Sequence, residues 1–235
     1  MARRRLFVPE VRQGRAVADG DQAHHLSRVL RVEPGQIFEL SDRRRLYLAR
    51  VAESRTSRVV FEIQQELDPG PSLPEVTLYA AVFKFDRFEW MLEKATELGV
   101  ARVVPVQAAR TERHLAYAAT RRVERWRRIV REAAEQSRRL APPEVTDPRP
   151  LEQALLEPAA GARWILDEAC SGPSPAPVDS SGACLLAGPE GGWTDQEREL
   201  AGGGGFRPVC LGPLILRSET AAIAALAVLL HTRLK

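Results

Sequence analysis

Apolar positions fall into two regimes along the chain. Through residue 70 they form short strand-like runs at 6–8, 37–40, 46–51 and 58–63, each bounded by polar turns such as Pro34-Gly35. One helical piece, residues 22–30, interrupts them. Short strands of this kind predict a small β-barrel domain. The Pro- and Gly-rich stretch ELDPGPSLPE, residues 66–75, marks a domain boundary. The expected domains are therefore residues 1–70 and 74–235.

Beyond the boundary, strand and helix patterns alternate. Residues 76–83 predict a strand and 85–98 a helix, with Phe88, Met91, Leu92 and Ala95 on one face and Gly99 as its stop. Residues 100–106 predict the next strand. A long helix is expected over 121–140, with Trp126, Ile129, Val130, Ala133 and Ser137 as its buried stripe. Later strands fall at 163–166, 184–187 and 209–211. Thr194 and Glu197 form a capping box that opens a further helix. The Pro/Ser/Gly segment 169–182 reads as a loop, and 220–230 as a buried apolar helix too short to cross a bilayer. Alternation of this kind predicts an α/β fold with a parallel sheet covered by helices.

Candidate chemistry concentrates in residues 185–220. Two apolar runs each end in a glycine turn, Gly188-Pro189-Glu190-Gly191-Gly192 and Gly212-Pro213. Glycine at a strand end lets a ligand approach the backbone. Two such turns at the carboxyl ends of adjacent strands would form the crevice where open α/β sheets bind ligands. Most single Gly-Pro or Gly-Gly pairs are only turns. Here charged residues accompany both, Glu190 in the first and Arg217 and Glu219 after the second, which points to a polar ligand.

Composition narrows the field. The 235 residues are 44% hydrophobic and 28% charged, ordinary for a globular protein. The net charge of +3 is only weak support for a nucleic-acid partner. Lysine is limited to Lys84, Lys94 and Lys235, so 31 of the 34 basic residues are arginine, from a compositional bias or from phosphate recognition. Many lie on the 121–139 helix, where a solvated face with i,i+4 ion pairs is the competing reading. Cys170, Cys184 and Cys210 include no CxxC, which argues against a disulfide framework or zinc site and fits a reducing cytosol. Cys184 and Cys210 read as buried small hydrophobes. The adjacent His24 and His25 point about 100° apart on a helix and lack a third ligand, so no metal site is expected. Arg28 and Arg31, three apart, would share a helix face, either to hold phosphates or as a solvated basic face. The N-terminus has no signal-peptide core. No GxGxxG follows a strand, Gly202 to Gly205 lack P-loop spacing, and no GxSxG elbow occurs.

GPEGGW followed by LGPLILRSETA resembles the C-terminal pattern of the 16S ribosomal RNA uridine-N3 methyltransferases, the small subunit methyltransferase E family of the SPOUT superfamily. HHLSRVLRVEPG is similar to that family's N-terminal PUA-like RNA-binding domain. KFDRFEWMLEKATELGV, Thr111-Glu112-Arg113 and Glu132 to Ser137 match further motifs, so the resemblance covers nearly the whole chain. Arg138 stands where the pattern has a small residue, and His114 where it has a hydroxyl. The resemblance implies a SPOUT-type parallel sheet with a C-terminal trefoil knot, a homodimer, a cytoplasmic location and no membrane. It implies S-adenosyl-L-methionine as methyl donor and the 16S rRNA of the small ribosomal subunit as substrate. Mapped onto this chain, the donor site falls on Leu166, Asp167 and Glu168, on Ala187, Gly188, Pro189, Glu190, Gly191 and Gly192, and on Leu211, Gly212, Leu214, Ile215, Leu216 and Thr220. RNA contacts fall on Arg28, Arg31, Lys84, Arg87, Arg113, Gln136 and Arg139. Arg217 is the candidate to stabilise charge on the uracil carbonyls. Glu190 is the candidate to take the N3 proton or orient Arg217. The competing reading of these two is an Arg–Glu ion pair that pins the knot. A ribose 2′-O-methyltransferase and a non-catalytic rRNA-binding assembly factor are the alternative functions.

Overall fold

The computed structural model of the chain describes residues 4–157, 161–169, 172–179 and 181–231. Its residues form two compact units, one of residues up to Pro71 plus Ala134–Pro142, the other of Ser72–Ala133 plus the chain from Pro143 on.

The first unit contains β1 (Arg5–Phe7), β2 (Arg15–Asp19), α1 (Gly20–His24) with a π-helical turn at His25–Val29, β3 (Ile37–Ser41), β4 (Leu46–Arg55) and β5 (Arg58–Leu67). They make a curled sheet in the order β1-β3-β4-β5-β2, antiparallel except for β1 against β3. Its core gathers Leu26, Phe38, Leu40, Val51 and Phe61. β2 was not expected, because RAVAD offers only two apolar positions with inward burial, Ala16 and Ala18, and both are small. The expected 22–30 helix ends at Val29, and Arg31 takes a left-handed φ of 49°. Arg28 and Arg31 are both exposed but do not share a helix face.

Residues 134–142 complete this unit. Glu39, 5% exposed, sits between two guanidiniums: Arg5 donates to it at 2.8 and 3.1 Å, and Arg138 donates to its other oxygen. A buried carboxylate needs such partners to offset desolvation. Arg5 also donates to the Arg138 carbonyl, Ser41 Oγ to the Leu140 carbonyl, and the Phe7 amide to Glu135 at 3.2 Å. Arg138 adopts φ 58°, a left-handed conformation that favours glycine or asparagine.

The second unit contains β6 (Val76–Ala81), α2 (Phe85–Leu98), β7 (Arg102–Gln107), α3 (Arg113–Ala119) with a 3-10 turn at Thr120–Arg122, α4 (Val123–Gln136), β8 (Glu144–Val145), β9 (Arg149–Pro150), α5 (Leu151–Leu155), β10 (Ala162–Leu166), β11 (Ala183–Ala187), α6 (Asp195–Gly203), β12 (Arg207–Val209) and α7 (Ser218–His231). α4 extends into the segment that folds with the first unit. The strands pair in parallel in the order β12-β10-β11-β6-β7-β8, with β9 also on β7. Alternate residues face opposite covers. Leu78, Ala80, Val103 and Leu185 pack with Phe88, Trp126 and Leu226, while Tyr79, Val104, Val106 and Leu186 pack with Leu151, Ala154 and Ala201. Burial on both faces explains why the strands read as continuous apolar runs rather than alternating ones.

The Gly99 stop of α2 is present, at φ 105°, where a Cβ would meet Leu73 Cδ1 at 2.3 Å. The capping box of α6 has both its hydrogen bonds. Three expectations change. The long helix is α3, a 3-10 turn and α4 rather than 121–140. The last strand ends at Val209 rather than Leu211, because its partner β10 ends at Leu166, opposite Val209. Cys210 is only half-buried, its Sγ 3.0 Å from the Gly172 carbonyl oxygen, whereas Cys184 is buried and its thiol pKa is raised by desolvation. Cys170 lies outside the described residues. In the 169–182 loop, residues 172–179 carry neither helix nor strand.

Candidate functional site

β10 lies between β11 and β12, so the two glycine turns are not on adjacent strands. The interposed strand brings a third segment, residues 166–168, between them. All three leave the carboxyl ends of the neighbouring parallel strands β12, β10 and β11, the end of the sheet where α/β folds bind ligands. They enclose a cleft of about 310 Å³. Its wall includes Leu166, Asp167 and Glu168, then Gly188, Pro189, Glu190 and Gly192, then Leu211, Gly212, Leu214, Ile215, Leu216 and Arg217. Three of the expected donor-site residues are not in that wall. Ala187 is buried at the end of β11, Gly191 is exposed against Arg110, and Thr220 is exposed on the first turn of α7.

Backbone sterics shape the first turn. The Gly192 amide donates to the Pro189 carbonyl at 2.9 Å with Gly192 at φ 70°, and a Cβ there would fall 2.3 Å from a Glu168 carboxylate oxygen. A Cβ at Gly188 would stand 3.0 Å from the Trp193 indole. That indole is fully buried, and its Nε1–H donates to the Leu166 carbonyl at 2.9 Å, tying the turn to the end of β10. From the loop after β7, Arg110 donates to the carbonyls of Gly191 at 2.7 Å and Trp193 at 3.3 Å. Glu197, beyond its capping role, accepts the Ala109 amide at 2.8 Å and so fixes that same loop. None of these three bonds had a sequence signal, since each joins residues more than 80 apart.

Asp167, 7% exposed, is held by Arg198, whose Nε and Nη2 lie 2.7 and 3.2 Å from the carboxylate. Hydrogen bonds from Arg198 pull the Asp167 pKa below the ordinary carboxylate value, against the opposing effect of burial. The pair therefore stabilises the fold above the unfolded Asp pKa of about 3.9 and ceases to do so as pH falls through the lower folded value. Replacing Arg198 with Met leaves the carboxylate uncompensated. The expected cost is about 2–3 kcal/mol at pH 7, less than for a fully buried pair because the Arg198 side chain is 29% exposed. Urea unfolding at pH 7 and pH 3 should show the difference between the two proteins shrinking on acidification. An unchanged gap would remove Asp167 as its source.

Glu190 and Arg217 both line the cleft but do not pair. Glu190 accepts from Arg87 Nη1 at 2.9 Å, and Arg87 Nε lies 3.9 Å from Glu219. Glu219 is 6% exposed, and its Oε2 has no hydrogen-bond partner among the described residues. Arg217 is exposed, with no side-chain acceptor among the described residues. The competing reading of Glu190 and Arg217 as an ion pair is therefore not met; Glu190 pairs with Arg87 instead.

The cleft suits a ligand that is part apolar and part hydrogen-bonding. Leu214 and Ile215 are 79% and 87% exposed, an apolar wall without a protein cover. The backbone amides of Leu211, Gly212 and residues 214–217 donate to no acceptor among the described residues, and most of these residues are exposed, so the donors are open to a ligand.

The remaining candidates are more scattered. Lys84 is exposed at the N-cap of α2, Arg113 at the first residue of α3, and Gln136 at the end of α4. Arg139 is half-buried, and desolvation pushes its pKa down to about 10, still charged at neutral pH. No cluster of His, Cys, Asp or Glu suited to a metal ion occurs among the described residues, and no helix there is long and apolar enough to cross a membrane.

Comparison with known proteins gives two family matches, an RNA methyltransferase domain over residues 71–230 and an RNA methyltransferase PUA domain over residues 18–64. The chain is 30% identical to the ribosomal RNA small subunit methyltransferase E of Aquifex aeolicus over 96% of this chain and 99% of that one. It is 36% identical to the protein of that name from Synechocystis, over 97% and 77%. Among solved structures it is similar to a methyltransferase from Legionella pneumophila in complex with S-adenosylmethionine, with TM-score 0.88, 30% identity and 97% coverage of both chains. A small subunit methyltransferase E from Neisseria gonorrhoeae bound to S-adenosyl methionine aligns with TM-score 0.83, 32% identity and 96% coverage of both.

Proposed function

The chain belongs to the ribosomal RNA small subunit methyltransferase E family, and from that premise we propose that it methylates N3 of a uridine in 16S rRNA. The methyl donor is S-adenosyl-L-methionine, which supplies an electrophilic methyl group on a sulfonium. The observation that carries this reading is the convergence of the 166–168, 188–192 and 211–216 segments on one cleft with an uncovered apolar wall and unspent amides. Leu214 and Ile215 would pack against an apolar ring, and the amides of 211–216 would donate to its polar edge.

N3 of uridine carries a proton and attacks poorly until that proton leaves. The chain must therefore orient the base and favour its anion. Arg217, on the cleft wall and without an acceptor among the described residues, would stabilise charge on the uracil carbonyls. Glu190 would accept the N3 proton while Arg87 fixes its carboxylate. The RNA would be held by Lys84, Arg87 and Arg113 on the methyltransferase domain, residues 74–235, and by Arg28, Arg31, Gln136 and Arg139, of which Arg28 and Arg31 lie in the PUA-like domain, residues 1–70. The trefoil knot belongs to the same proposal. After edge strand β12 the chain returns past the ends of β10 and β11, and α7 packs against α2 and β11. So does the homodimer. α7 is apolar around its circumference, and Ile223, Ala224 and Ala227 remain partly exposed, as a helix does when a second copy covers it. A cytoplasmic location completes the reading.

The test is methyl transfer from labelled S-adenosylmethionine to unmodified small ribosomal subunits, with the labelled nucleoside identified by mass. 3-Methyluridine is expected. A 2′-O-methyl nucleoside would overturn the N3 assignment, and absence of both label and donor binding would overturn the enzyme reading.

A further inference from the structure

α3 and the 3-10 turn after it carry a surface outside the donor cleft. Tyr117 is 75% exposed there. The Arg121 guanidinium lies over its ring, 5.4 Å from the centroid. Arg113, also exposed, stands four residues before Tyr117 on the same helix, so the two share a face. Neither Arg113 nor Arg121 has a carboxylate partner among the described residues. The neighbouring arginines differ. Arg122 and Arg125 are bound to Glu89, and Arg127 to Glu124 and Asp147. The acid at the head of α3, Glu112, lies 3.4 Å from His114 Nδ1.

A ring this exposed contributes little to the core, yet it lies beneath the Arg121 guanidinium, and a second guanidinium without a carboxylate partner among the described residues, Arg113, stands one turn before it. That combination matches single-stranded nucleic acid. Every base offers a face to an aromatic ring, and the phosphates on either side meet the arginines. We propose that Tyr117, framed by Arg113 and Arg121, is a stacking platform for an unpaired base of the RNA substrate. The proposal rests on the reading of the chain as an RNA methyltransferase. It adds a contact that no backbone-phosphate site supplies, one indifferent to base identity.

The test uses the full chain and a fluorescein-labelled single-stranded oligouridylate, with affinity measured by anisotropy across a salt series. Stacking is worth enough that Tyr117→Ala should weaken binding by about tenfold or more, while Tyr117→Phe and Tyr117→Trp keep it. The salt slope should stay unchanged in Tyr117→Ala and flatten in Arg113→Ala and Arg121→Ala. Circular dichroism checks that the variants are folded. Wild-type affinity in Tyr117→Ala, or equal loss in Tyr117→Phe, overturns the platform. So does absence of oligouridylate binding by the wild type. A Tyr117→Ala variant that binds RNA normally but sediments differently would make the surface a subunit contact instead. Methyl transfer by the wild-type protein is measured separately, so failure of the enzymatic reading shows there and not in the anisotropy.

Discussion

Replacing Trp193 with Ala should unfold this protein more readily than any change on its surface. The indole is completely buried in the core of the second unit. Loss of a buried Trp leaves a cavity the surroundings fill poorly, at a cost of about 3–5 kcal/mol. For a chain of this size that lowers the thermal midpoint by roughly 6–20 °C. The site should suffer separately. Trp193 bonds the Leu166 carbonyl and packs beneath Gly188, so two of the three cleft segments lose their common support. Titration calorimetry below the new midpoint should show S-adenosylmethionine affinity reduced well beyond any unfolded fraction. Trp193→Phe separates the two effects, since it fills most of the volume but lacks the Nε1 donor. If the Phe variant binds the donor as the wild type does, the hydrogen bond to Leu166 is not what holds the cleft.

Arg217→Ala should act in the opposite way, slowing turnover sharply without touching the fold. The side chain is exposed and makes no internal bond among the described residues, so its removal costs no packing. Its expected work is to stabilise negative charge on the uracil carbonyls as the N3 proton departs. Losing one such group costs about 100- to 1,000-fold in turnover. Thermal stability and S-adenosylmethionine affinity should remain near wild type, and Arg217→Lys should recover part of the rate, keeping the charge but not the planar array of donors. The measurement is single-turnover methyl transfer with saturating donor. Full turnover in Arg217→Ala would sink the assignment and leave Glu190 as the candidate to test next.

Local rules predicted much of this architecture. Glycines after apolar runs marked two of the three cleft segments, the Thr194–Glu197 box opened α6, and Gly99 closed α2. What escaped is non-local or short. β8 and β9 have two residues each, too few for any period to register. α3 went unpredicted, because its seven residues bury only Leu115 and Ala119 and give no clear apolar stripe. Arg110, Arg198 and Glu197 reach partners that only the folded sheet brings near. The partner of Glu190 was out of reach for the same reason. Arg217 is nearer in sequence, but Arg87 is the side chain at its carboxylate.

The segment 134–142 gives the first unit a property that a continuous domain would not have. Glu39, the Phe7 amide and Ser41 all find partners in residues made nearly a hundred positions or more later. During synthesis the curled sheet therefore emerges with its central carboxylate matched by Arg5 alone, and it waits while β6 through α4 are translated. A chain cut after residue 71 would stay in that waiting state. In this protein the two units interleave during translation: the part begun first is finished only after Ser72–Ala133 of the other part has left the ribosome.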